Sequence, residues 1–115
     1  MKRVMLIRSR KRTLTVKVCK SLFSKCRGLM FAKRPVEDGL LFIFGSEQKW
    51  SLHMLFVFFT IDVVYLNKEK KVVGIKKKIR PFELHIPGPK SKYIIELKDA
   101  GKIEVGERLV FEEDR

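Results

Sequence analysis

The chain has 115 residues and a formal net charge of +13. That length predicts one domain over residues 1–115, and 45% hydrophobic residues are enough for a core. The 26 Lys+Arg against 13 Asp+Glu exclude an acidic, disordered solvating chain, but a basic balance alone names no activity.

In chain order, Val4-Met5-Leu6-Ile7 reads as a short strand. A basic turn, Arg10-Lys11-Arg12, follows it. Thr13 to Val18 alternates apolar and polar residues, so a half-buried strand with Leu14, Val16 and Val18 inward is predicted. Lys20 to Arg27 reads as a two-turn helix with Leu22, Phe23 and Cys26 on one face, and Gly28 as its C-terminal cap. Leu40 to Phe44, bounded by Gly39 and Gly45, is a buried strand, and Gly45 to Ser51 a polar loop carrying the only tryptophan, Trp50. Leu52 to Phe59 and Ile61 to Leu66 are two further apolar strands, the second ending at the Asn67-Lys68-Glu69-Lys70 turn.

Lys71 to Ile79 alternates again, with Val73, Ile75 and Ile79 on one face and Val72, Lys76, Lys78 and Arg80 on the other. The prolines of His85-Ile86-Pro87-Gly88-Pro89-Lys90 predict a rigid loop, since each removes a ladder donor. Tyr93 to Leu97 and Arg108 to Phe111 are the last strands. The sum is seven to nine short strands and a short helix, the pattern of a β-sandwich or barrel.

No membrane span is expected. Leu52 to Leu66 is shorter than the roughly 20 residues required and contains Asp62, which is costly in lipid. The apolar run at the N-terminus is interrupted by Arg8, which predicts no signal peptide. Cys19 and Cys26 form no CxxC motif and have no histidine at ligand spacing, so no metal site and no cofactor are expected. They are too few for a secreted disulfide scaffold, which points to a reducing, cytoplasmic setting. Asn67 and Gln48 are the only side-chain amides, and Lys, Glu, Ile and Val abound, a bias that fits a thermophile.

Phosphate-cradling glycine loops, nucleophile elbows and zinc-protease helices are absent from the sequence. Asp62, inside Phe58 to Val64, stands out: a carboxylate in an apolar run must be paired or hydrogen-bonded. Backbone donors at a strand kink would make it structural, and an open cleft would make it functional. His53, between Leu52 and Met54, has no nucleophile partner in sequence. Together His53 and Asp62 would form an acid–base pair if the fold joined them. Cys26, between Lys25 and Arg27, reads as a core residue before a reactive thiol.

The positive charge is concentrated. Residues 1–34 hold 12 Lys/Arg and no acid, residues 68–80 hold seven basic residues and one acid, and residues 81–115 are slightly acidic. Polyanion binding through Arg10, Lys11, Arg12, Lys76, Lys78 and Arg80 requires that these segments meet on one face. The Lys76, Lys78 and Arg80 face has no aromatic neighbours and the N-terminal segment has only Phe23 and Phe31, which read as core, so nucleic acid is not the favoured partner.

Several blocks resemble one family. They are Arg27-Gly28-Leu29-Met30-Phe31, then Gly39 to Phe44, then His53-Met54-Leu55-Phe56-Val57-Phe58-Phe59-Thr60-Ile61-Asp62-Val63-Val64-Tyr65-Leu66. Tyr93 to Leu97 with Ala100-Gly101 and Val105-Gly106 complete the set. In order and spacing they are similar to the domain of unknown function 192 family, over about residues 13–112. Thr60 stands where that family usually has proline, and Glu107 where it usually has aspartate. The resemblance implies a compact, jelly-roll-like β-domain with no established activity. Its motif positions, Gly28, Leu29, Met30, His53, Met54 and Asp62, form the candidate binding cleft. The resulting expectation is a small ligand- or partner-binding module. Polyanion binding is the alternative, and acid–base catalysis by His53 and Asp62 a weaker one.

Overall fold

A computed structural model describes residues 4–19, 39–52, 60–80 and 86–113. Among the described residues there are seven strands: β1 (Val4–Arg8), β2 (Thr13–Cys19), β3 (Gly39–Leu52), β4 (Ile61–Leu66), β5 (Val72–Ile79), β6 (Ile86–Leu97) and β7 (Val110–Glu113). They form one sheet in the order β5-β4-β6-β3-β2-β1-β7. Every pairing is antiparallel except β2 with β3. The fold is mainly β, as the sequence pattern predicts.

The sheet curls until its two ends touch. Lys71, just before β5, bridges Arg108, just before β7. Val72 N–H donates to Glu107 O at 2.8 Å, Gly106 N–H to Val72 O at 2.8 Å, and Leu109 N–H to Lys70 O at 3.0 Å. Nearly equal extents of 31 × 30 × 27 Å fit a barrel-like body better than an open sheet. Closure removes the exposed edges that would invite pairing with other chains.

The core fills the inside of this curl. Met5, Ile7, Leu14, Val16, Leu41, Val64, Leu66, Ile95 and Leu97 project into it, and Val72, Ala100, Ile103 and Leu109 complete it from the β5 start and the β6–β7 connection. Strand periodicity then sends Leu40, Phe42, Val63, Tyr65, Ile94 and Glu96 to the opposite face, and these are buried too. All six residues of β4 are therefore buried. A strand covered on both sides reads as an unbroken apolar run, which is why Ile61–Leu66 shows no alternation.

Four expectations about the strands need correction. The polar segment after Gly45 continues β3 to Leu52, because pairing is made by the backbone and resumes at Gln48↔Ser91 after a register slip. The proline-rich segment is the first half of β6. There β6 pairs with β3 alone, and pairing with β4 begins only at Leu66↔Tyr93. Prolines are tolerated where one side of a strand carries no ladder. In β5, Val72 faces the core, because register shifts interrupt the two-residue alternation. The last strand also begins two residues late, at Val110, with Arg108 held only by its isolated bridge. The short helix expected at Lys20 to Arg27 and the strand segment 53–59 lie outside the described residues.

Candidate functional site

Asp62 lies on β4 opposite Leu97 and is 6% exposed. Across the β4–β5 ladder, Ile61 pairs with Ile79 but Val63 pairs with Lys76, so Lys77 and Lys78 together oppose Asp62. This is a β-bulge, and it leaves an amide without a ladder partner. Lys78 adopts a φ of 57°, rarely populated by residues other than glycine. The Asp62 carboxylate accepts the displaced Lys78 N–H at 2.8 Å on Oδ1 and Ala100 N–H at 2.7 Å on Oδ2. Both oxygens thus serve backbone amides, joining the β5 bulge to the turn after β6. Of the other members of the candidate cleft, Gly28, Leu29, Met30, His53 and Met54 all lie outside the described residues.

The same turn gathers positive charge. Asp99 Oδ1 accepts Gly101 N–H at 2.8 Å, and Gly101 has a φ of 60°, a left-handed conformation that favours glycine. Arg12, from the β1–β2 turn, donates through Nη1 to Asp99 O at 2.9 Å. Lys77, from the bulge, donates through Nζ to Gly101 O at 3.2 Å. The two basic segments therefore meet at one turn. Segments 10–12, 77–80 and 98–102 contribute Arg10, Lys11, Arg12, Lys77, Lys78, Arg80, Lys98 and Lys102, against Asp99 as their one acid. All eight are exposed except half-buried Arg12. Glu107 is the nearby counter-charge on the β1 side, accepting Arg10 N–H at 2.7 Å.

Lys76 differs from the rest of its expected group. It is half-buried and has an interaction of its own. Lys77 replaces it at the turn. Strict alternation grouped Lys76 with Lys78 and Arg80, and the bulge breaks that rule. Lys98 and Lys102 carried no sequence signal, because their neighbours at the turn come from distant segments.

A second polar feature lies on the opposite face of β4. Glu96, flanked by Val63 and Leu40 on the adjacent strands, is 8% exposed. Burial pushes its carboxyl up to about 7. Tyr65 is fully buried, and its hydroxyl has no hydrogen-bond partner among the described residues. Burial, and then the nearby Glu96 charge, push the phenol up to about 12. The ring lies against Gly88, where any Cβ would collide with it. Among the described residues no group of three or more His, Cys, Asp or Glu could hold a metal, and no helix is long and apolar enough to cross a membrane.

Comparisons with known proteins agree with the fold. The structure superposes on that of a putative transcription regulator from Sinorhizobium meliloti with a TM-score of 0.79 at 20% identity, covering 96% of this chain and 94% of that one. A protein of unknown function from Novosphingobium aromaticivorans gives 0.74 at 14% identity, covering 93% and 83%. In sequence, the chain is 35% identical to a UPF0127 protein of Thermococcus sibiricus over 103 residues, which is 84% of this chain and 66% of that protein. It is 33% identical to a UPF0127 protein of Pyrococcus horikoshii over 100 residues, covering 82% and 84%. These relatives come from thermophilic archaea, in line with the scarcity of side-chain amides. The model of the domain of unknown function 192, described as an uncharacterized ACR, matches residues 5–111. The chain belongs to this family, also called UPF0127.

Proposed function

We propose that this protein is a binding module for an anionic partner, RNA or DNA, engaged through the basic cluster around residues 98–102. The observation that carries this reading is that Arg12 and Lys77, 65 positions apart in sequence, bond carbonyls of the same turn, Asp99 O and Gly101 O. Cations brought together from separate segments release counterions jointly when they meet phosphates, which gives affinity without base readout. A reducing, cytoplasmic compartment belongs to the same proposal.

Two other readings draw less support. Acid–base catalysis would use Asp62, whose oxygens are both engaged by backbone amides. A small-ligand cleft would have to be built mainly from Gly28, Leu29, Met30, His53 and Met54. The test is titration of labelled RNA and DNA at several salt concentrations. The expected result is affinity that falls linearly on a log–log salt plot and weakens in a Lys78→Glu, Arg80→Glu variant. No binding at low salt, or binding that ignores salt, overturns the proposal.

A further inference from the structure

Away from the basic turn, Tyr93 on β6 and Phe111 on β7 meet edge to face, with ring centroids 5.1 Å apart and planes at 79°. Both rings are half-buried: they pack against the core cluster and keep part of their surface in solvent. Lys70 Nζ lies 4.9 Å from the Phe111 centroid and 5.9 Å from that of Tyr93. Lys92 Nζ lies 5.9 Å from the Tyr93 centroid while donating to Phe44 O at 2.8 Å. The sequence hides this cluster, because its members come from β6, β7 and the β4–β5 turn.

We infer that Tyr93, Phe111 and Lys70 form a stacking subsite for the bases of a single-stranded nucleic acid. Single strands offer unstacked bases to aromatic rings, which duplexes do not, and a neighbouring ammonium can meet the adjoining phosphate. Lys70 has that geometry, one cation above two rings, and its side chain has the rings as its partners among the described residues. The surroundings favour an anion: Lys68, Lys71, Lys90 and Arg108 are exposed on the neighbouring segments. The acids there are partly committed, with Glu47 accepting Lys68 N–H at 2.7 Å and Glu112 paired with Arg8 at 3.3 Å, while Glu69 is exposed. The inference rests on the anionic-partner reading and narrows it, since charge alone would not distinguish a single strand from inorganic polyphosphate.

The test uses the whole chain, with fluorescence anisotropy on oligouridine, a duplex of equal charge, and competition by linear polyphosphate. Oligouridine should bind tightest. Stacking is worth roughly 1–3 kcal/mol per base, so Phe111→Leu should weaken oligouridine binding about 5- to 150-fold while polyphosphate binding stays unchanged. Phe111→Tyr, which keeps an aromatic face, should restore it, and this rescue separates stacking from a packing defect. Photo-crosslinking of a halogenated uridine oligomer should label Tyr93 or Phe111 in the unmodified protein. Polyphosphate binding as tight as oligouridine, or an indifferent Phe111→Leu with crosslinks elsewhere, overturns the subsite and leaves the anionic reading standing. No binding of any polyanion at low salt overturns both.

Discussion

The Asp62 carboxylate holds the amide of Lys78, 16 residues away, at 2.8 Å, at the one point where the β4–β5 ladder carries an extra residue in its lysine run. The same carboxylate holds Ala100 N–H at 2.7 Å. Removing it strands two amides at once, and each buried unsatisfied group costs roughly 1–3 kcal/mol. Asp62→Ala should therefore destabilise the fold by about 3 kcal/mol or more in urea denaturation. Asp62→Asn, which keeps one acceptor oxygen, should cost less. An Asp62→Ala protein with unchanged stability would remove the staple from this account.

Lys78 sits at a φ of 57°. A left-handed conformation costs an L-residue roughly 1–2 kcal/mol, whereas glycine adopts it freely. Lys78→Gly should stabilise the protein by about 1 kcal/mol, offset in part by glycine's greater unfolded entropy. The same substitution should weaken binding to RNA or DNA, so stability and affinity move in opposite directions.

Glu96 makes stability depend on pH. Its carboxyl titrates at about 7 in the folded chain against an ordinary value of 4.5. Below about pH 4.5 it is protonated in both states and its contribution is fully present. Between about 4.5 and 7 the unfolded chain releases its proton while the folded chain keeps it, so stability falls as pH rises. Above about pH 7 the loss is complete, on the order of 3 kcal/mol. Glu96→Gln should flatten this slope, leaving the variant close to wild type at pH 4 and more stable at pH 8. Denaturant midpoints across pH 4–8 measure it, and identical profiles for the two proteins would exclude Glu96 as the cause.

Tyr65 carries a buried hydroxyl without a partner among the described residues. Deleting an unsatisfied polar group removes a desolvation cost without losing a hydrogen bond. Tyr65→Phe should raise stability by about 1 kcal/mol. Gly88→Ala should lower it by roughly 1–3 kcal/mol, because the added methyl collides with the Tyr65 ring. Thermal melts of the two variants should shift in opposite directions.

For the basic turn, Lys98→Glu with Lys102→Glu should weaken RNA or DNA binding and reduce the salt slope. Each lost phosphate contact lowers that slope by about 0.9 on duplex DNA. The folding midpoint should scarcely move, since both side chains are exposed. An unchanged slope would place the contact surface elsewhere.

Much of the strand framework was legible in the sequence. Leu14, Val16 and Val18 alternate because β2 has one face on the core, and Ile61–Leu66 is uniformly apolar because β4 is covered twice. Pro87 and Pro89 misled, since proline is excluded only from strands paired on both sides, and the first half of β6 pairs with β3 alone. Gln48 and Lys49 misled in the same way, their polarity hiding the ladder they form with Ser91 and Lys90. The site was less legible. Asp62 announced that it needed a partner, but Lys77, Tyr93, Phe111 and Glu96 looked ordinary until the fold supplied their neighbours.

The sequence by itself determined that the chain would be mainly β, where its positive charge lies, and that Asp62 could not stand alone. These follow from local quantities: side-chain period, charge density and the cost of burying a carboxylate. Only the tertiary structure decided that Asp62 serves Lys78 and Ala100, 16 and 38 residues away, and that Arg12 and Lys77 share a turn. Such contacts depend on register, and one extra residue in β5 changes which side chains and amides face each other. No local pattern encodes that displacement, because it exists only where two strands are paired.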